Sequence, residues 1–170
     1  MRENALRADN QQERPITAMI PEDTGWYLAG FTDGEGSFNV STINRNQDFK
    51  TGWKISLSFN ISQKDATVLH LFKDTLRCGS FRKRRDGVTY YEVRRVDDLV
   101  EVVIPFFERF TLRSESKRKQ FEVFRQIVEI VSRKEHLTRN GLEQIFTLRQ
   151  TIVVGRKRKY TLDQILQTSA

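Results

Sequence analysis

The chain has 170 residues, enough for one domain with a real core, and its 38% hydrophobic and 30% charged content is that of an ordinary globular protein. The longest apolar run, Val102 to Phe107, is far too short to span a bilayer, so no membrane partner is expected. A formal net charge of +7 and a pI near 9.8 point to a polyanionic partner. The single cysteine, Cys78, excludes a disulfide within the chain, and only two histidines, His70 and His136, argue against a zinc cluster or a histidine general base.

Residues 1–22 lack apolar periodicity and read as a flexible N-terminal arm. Its acids Glu3, Asp9 and Glu13 are unlike a transit peptide, and it has no apolar stretch like that of a signal peptide. The expected location is therefore the cytoplasm of a bacterium, or an organelle whose own genome encodes the protein. A folded domain is expected over 23–155, opening with a helix capped by Asp23 or Thr24 after Pro21. That helix is apolar through Trp26–Phe31 and ends in Asp33-Gly34-Glu35-Gly36. Acids at a helix C-terminus meet its partial negative charge, at a cost of roughly 0.3–1 kcal/mol each, and a bound divalent cation is a reason to place them there.

From Ser37 the period changes to two. Phe38 and Val40 alternate with Asn39 and Ser41, a polar loop covers Asn44–Gly52, and Ile55, Leu57, Phe59 and Ile61 then alternate with Lys54, Ser56, Ser58 and Asn60. This is the pattern of antiparallel strands with one wet face. A helix capped near Asp65 carries Val68, Leu69, Phe72 and Leu76 on one stripe. Cys78, beside Gly79 at its end, is expected to be a small buried side chain. A second hairpin follows, with Phe81 on its first strand, a turn at Asp86-Gly87 and a return over Val88–Val93. Further helices are predicted over 97–109, bent at Pro105; from Ser114 or Ser116 through Val131; and over 140–153. A basic tail, 156–170, contains Arg156-Lys157-Arg158-Lys159 and a short amphipathic element at Tyr160, Leu162, Ile165 and Leu166.

The block Leu28-Ala29-Gly30-Phe31-Thr32-Asp33-Gly34-Glu35-Gly36 resembles the signature of the LAGLIDADG homing endonucleases, with Glu35 in place of the usual aspartate. The resemblance implies an α+β fold with an αββαββα core, in which a curved four-stranded antiparallel sheet binds DNA on one face and carries helices on the other. It implies a single-motif, homodimeric, intron-encoded enzyme, since the chain holds one copy of the motif. Leu28, Ala29, Gly30, Thr32 and Asp33 would form the dimer interface, with Asp33 capping the partner helix. Glu35 and the Gly34 carbonyl would bind Mg²⁺, for which Mn²⁺ or Ca²⁺ can stand in during binding. By alignment, Gln63 would position water and Lys117 would stabilise charge near the phosphate, with Arg118 or Lys119 as alternatives.

Such an enzyme makes a double-strand break with short 3′ overhangs in a long, pseudo-palindromic target, the intronless allele of its host gene and often an rRNA gene. An alternative within the same fold is a splicing cofactor that binds intron RNA, or a DNA-binding derivative that does not cut.

Recognition is expected from the wet strand faces, because a two-stranded ribbon fits the major groove and its alternate side chains meet base edges. The candidates are Asn39, Ser41 and Ile43, then Lys54, Ser56, Ser58 and Asn60, then Arg82 and Arg84, then Tyr90 and Glu92. Arg45, Lys50, Lys83 and Arg85 suit phosphate contacts, which position without specifying.

Overall fold

Alternation with a period of two builds the sheet. In the computed structural model, which describes residues 16–44 and 53–152, β1 (Ser37–Asn44) pairs antiparallel with β2 (Trp53–Gln63), setting Phe38 opposite Phe59 and Val40 opposite Leu57. The core-facing alternation begins one step earlier than expected, at Trp53, which is 2% exposed. β3 (Ser80–Lys83) and β4 (Thr89–Val93) form the second hairpin. Its turn needs a left-handed residue, supplied by Gly87 at φ 85°, and closes with Arg84 N–H on the Val88 carbonyl at 2.8 Å. The hairpins join through β2 and β4, giving the order β1-β2-β4-β3 with every pair antiparallel.

Helices cover one face of this sheet. α1 (Glu22–Glu35) begins directly after Pro21, without a side-chain cap from Asp23 or Thr24. α2 (Thr67–Leu76) buries Leu69, Phe72 and Leu76, and Asp65 accepts the Thr67 N–H at 2.9 Å. The predicted helix over 97–109 is a continuous helical run that changes type: α3 (Val96–Asp98), a π-helical stretch Leu99–Val103 and α4 (Ile104–Arg109). Pro105 accounts for the π-helical stretch, because it lacks an N–H and its ring crowds the carbonyl four residues back. Ser114 caps α5 (Glu115–Ser132), and its hydroxyl accepts the Lys117 N–H at 3.4 Å. α6 (Arg139–Gln150) is capped by Thr138 and gives way to a turn at Thr151–Ile152.

The main core is unusually aromatic. The Phe38 ring lies 5.3 Å from Phe59, 5.3 Å from Phe107 and 5.4 Å from Phe124, so β1, β2, α4 and α5 meet on one side chain. A smaller cluster of Trp53, Leu142 and Phe146 fastens α6 beneath the far end of the first hairpin. Cys78 is buried as expected; burial pushes its thiol up to about 11, which keeps it inert.

The N-terminal arm requires correction. Residues 16–19 form a 3₁₀ turn, Thr17 and Ile20 are buried, and the Arg109 guanidinium donates to the Thr17 carbonyl. The end of the expected arm therefore packs on the domain, because Ile20 completes the core. Residues 1–15, the 45–52 loop with Arg45 and Lys50, and the basic tail lie outside the described residues. Among the described residues no helix is long and apolar enough to cross a membrane.

Candidate active site and nucleic-acid interface

Two helix ends meet at one edge of the domain. The Asp33 carboxylate, in the last turn of α1, accepts the backbone N–H groups of Arg113 and Ser114 at 2.7 and 3.2 Å, where the chain enters α5. Asp33 thus caps the entry to α5 within its own chain. The Lys117 ammonium, on the first turn of α5, donates to the Gly36 carbonyl at 2.6 Å. A cation is thereby set against the negative end of α1. Gly36 is required for this junction, because a Cβ there would lie 2.4 Å from Thr32 Cγ2 and 2.9 Å from the Thr32 carbonyl oxygen.

Glu35 lies between these links and is exposed. Its carboxylate makes no hydrogen bond or ion pair with any described residue, and both oxygens remain available. Gly34, beside it, is exposed too. A carboxylate and a carbonyl are the hard oxygen donors that Mg²⁺ and Ca²⁺ prefer, so this pair fits such an ion. Among the described residues no three His, Cys, Asp or Glu side chains gather into a metal cluster.

Gln63 is the last residue of β2. Ser37 pairs with Asn60, so the antiparallel register carries Gln63 past Ser37 toward the end from which Glu35 arrives. Its place in the alternation is that of Ile61, on the helix-covered side. Glu35, Gln63 and Lys117 thus share one end of the sheet.

The five expected interface residues separate. Leu28, Ala29 and Thr32 are buried in the chain's own core, and the Thr32 hydroxyl is spent on the Leu28 carbonyl at 2.9 Å. This corrects their assignment as interface surface. The open side of α1 carries Asp23, Tyr27, Gly30 and Gly34, and nothing lies within 4 Å of a Cβ built at either glycine. Sequence alone could not tell these sides apart, since apolar residues run all round the helix.

The register puts the strand-borne recognition candidates on one face, and Arg84 follows β3 in the turn. Ile43 opposes Lys54, Ser41 opposes Ser56, Asn39 opposes Ser58, and Asn60 and Ser80 both oppose Glu92. Tyr90 opposes Arg82 on one side and Ser62 on the other. Ser62 continues the alternation but was not among the candidates. Two candidates are poorly placed to read bases. Ser58 is only 7% exposed, recessed beside its exposed pair partner Asn39. Glu92 is largely covered and ion-paired to Arg94 at 3.1 Å. At the second hairpin, the Arg82 guanidinium lies 4.9 Å over the Tyr90 ring, and Arg84 donates to the Tyr90 hydroxyl at 3.1 Å.

A four-stranded antiparallel sheet with an open polar face, backed by helices and ending beside an acid-tipped helix, defines an α+β protein of the LAGLIDADG class. Residues 28–128 match the family model described as LAGLIDADG endonuclease, and the chain belongs to that family. It is 34% identical over 134 residues to the probable intron-encoded endonuclease 3 of Neurospora crassa, covering 76% of this chain and 25% of that protein. The chain spans between a quarter and a third of the length of that protein and of two further curated relatives it matches.

Among solved structures, the homing endonuclease I-TnaI is similar with a TM-score of 0.71 and 32% identity, over 85% of this chain and 94% of that one. I-SmaMI, bound to an uncleaved DNA target in the presence of calcium ions, is similar with a TM-score of 0.74 and 31% identity, over 79% of this chain and 46% of that one.

Proposed function

We propose that the protein is a metal-dependent, site-specific DNA endonuclease that works as a homodimer, each copy hydrolysing one strand of a long pseudo-palindromic target. The observation that carries this reading is the Glu35 carboxylate, exposed and uncommitted, next to a Gly36 carbonyl already engaged by Lys117. Family membership and the calcium-containing DNA complex of I-SmaMI support it.

The open side of α1 supports the dimer, because Gly30 and Gly34 leave room for a second helix backbone. In such a pair the two Glu35 groups would approach the two-fold axis, and their mutual repulsion would favour a divalent cation. Glu35 and the Gly34 carbonyl would hold Mg²⁺, with Mn²⁺ or Ca²⁺ able to replace it for binding. The ion would supply an activated water and offset charge on the leaving oxygen. Lys117 has three N–H donors and spends one on Gly36, which leaves two to face a phosphate oxygen as charge develops. Gln63, at the same end, would orient water through its amide.

The product would carry short 3′ overhangs, and the target would be the intronless allele of the host gene, in the bacterial or organellar compartment where that gene resides. Cleavage of a randomised duplex library in Mg²⁺ tests activity, palindromy and target together. Glu35→Gln is expected to lower cleavage at least about a hundredfold while leaving binding nearly unchanged. Full cleavage by that variant would remove Glu35 from the mechanism. Tighter binding of structured intron RNA than of duplex DNA at matched salt would instead favour the splicing-cofactor reading.

A further inference from the structure

We propose that Tyr90 is a positioning residue: it fixes the guanidinium groups of Arg82 and Arg84 as one pair aimed at the DNA, and does not itself read a base. The inference rests on the DNA-binding reading above and concerns how one end of the sheet is prepared for it.

The register makes Tyr90 the direct cross-strand partner of Arg82. The Arg82 guanidinium lies over the Tyr90 ring, 4.9 Å from its centre. The Arg82 N–H groups make no hydrogen bond or ion pair with a described residue, so they remain for the bidentate contact by which a guanidinium meets guanine O6 and N7. Arg84, two residues on and exposed in the turn, donates through Nη1 to the Tyr90 hydroxyl at 3.1 Å. Its Nη2 is held 3.3 Å from Asp86. Asp86 in turn accepts the Val88 N–H at 3.2 Å, so the carboxylate that folds the turn also restrains Arg84 from the other side.

One aromatic side chain thus addresses two arginines through two different groups, its ring and its hydroxyl. Long exposed arginines sample many rotamers, and ordering both at contact would weaken binding. Orienting them beforehand removes part of that cost. Tyr90 itself is half-buried between Arg82 and Ser62, and its hydroxyl oxygen accepts from Arg84, which leaves it one O–H donor against the several N–H groups of the two arginines.

The two contacts can be separated by mutation. Tyr90→Phe removes the hydroxyl and keeps the ring, so it should release Arg84 and leave Arg82 in place. Tyr90→Leu should release both. The test is a binding selection from randomised duplex DNA in Ca²⁺, run on the wild-type chain, Tyr90→Phe, Tyr90→Leu, Arg84→Ala and the Tyr90→Phe/Arg84→Ala double variant. Thermal melting of each variant checks that it is folded.

Tyr90→Phe is expected to lose about fivefold in base preference, the scale of one hydrogen bond, at the same positions that Arg84→Ala flattens. In the Arg84→Ala background it should change nothing further. Tyr90→Leu should flatten additional positions, those set by Arg82. The proposal is overturned if Tyr90→Phe leaves the preference intact, alters positions that Arg84→Ala does not touch, or multiplies the Arg84→Ala loss. A folded wild-type chain that enriches no sequence would overturn the DNA reading itself, and this one with it.

Discussion

The two hairpins present polar residues to the same side of the sheet but are held there by different means. The β1–β2 hairpin is long and is placed by what lies beneath it: Phe38, Leu57, Phe59 and Ile61 in the main core, and Trp53 in the smaller cluster under α6. Its wet face needs few contacts of its own and carries mostly short, uncharged side chains. The β3–β4 hairpin has four- and five-residue strands, and every residue of β3 is exposed. Only Tyr91 and Val93 of β4 are buried, so the rest is fixed by Tyr90, Asp86 and the Gly87 turn. Burial positions a surface without specifying its side chains, whereas polar contacts position the side chains themselves.

Substitutions can separate the two modes. The largest effect is expected from Phe59→Ala, which empties a fully buried site where the Phe38, Phe72 and Phe107 rings converge. A loss of about 3–5 kcal/mol in denaturant-induced unfolding is expected, enough to abolish a marginal fold. Phe81→Ala, its counterpart on the second hairpin, removes a ring that is 38% exposed and rests on His70 and Tyr91. It should cost only about 1 kcal/mol by the same measurement, and a larger loss would mean that burial governs both hairpins. Least of all is expected from Ser58→Ala. This recessed residue should leave the selected sequence unchanged where Asn39→Ala, on the exposed residue opposite, alters it. A changed preference for Ser58→Ala would put the recessed side chain back among the contacts.

Much of this architecture was legible beforehand because it is local. The period-two run through Ile55, Leu57, Phe59 and Ile61 required a half-buried strand, Asp86-Gly87 required a turn, and Ser114 or Ser116 ahead of an apolar stripe marked the start of α5, where Ser114 proves to be the cap. The acid end of the motif was conspicuous for the same reason: its charge contradicts the helix dipole within a few residues.

What the amino-acid order determined by itself was the series of elements, the two faces of the sheet and Glu35 as an acid in need of a partner. Tertiary structure alone decided that Asp33 serves Arg113 and Ser114, that Lys117 reaches Gly36, and that Thr17 and Ile20 close the core. It also decided which side of α1 remains open, turning Leu28, Ala29 and Thr32 inward and Tyr27, 51% exposed, outward with Gly30 and Gly34. The physical reason is range. A cap or an alternation acts over a few residues and leaves its mark in spacing, while contacts between positions about eighty apart depend on how whole elements pack. A helix that is apolar all round carries no periodic record of the side its own fold will cover.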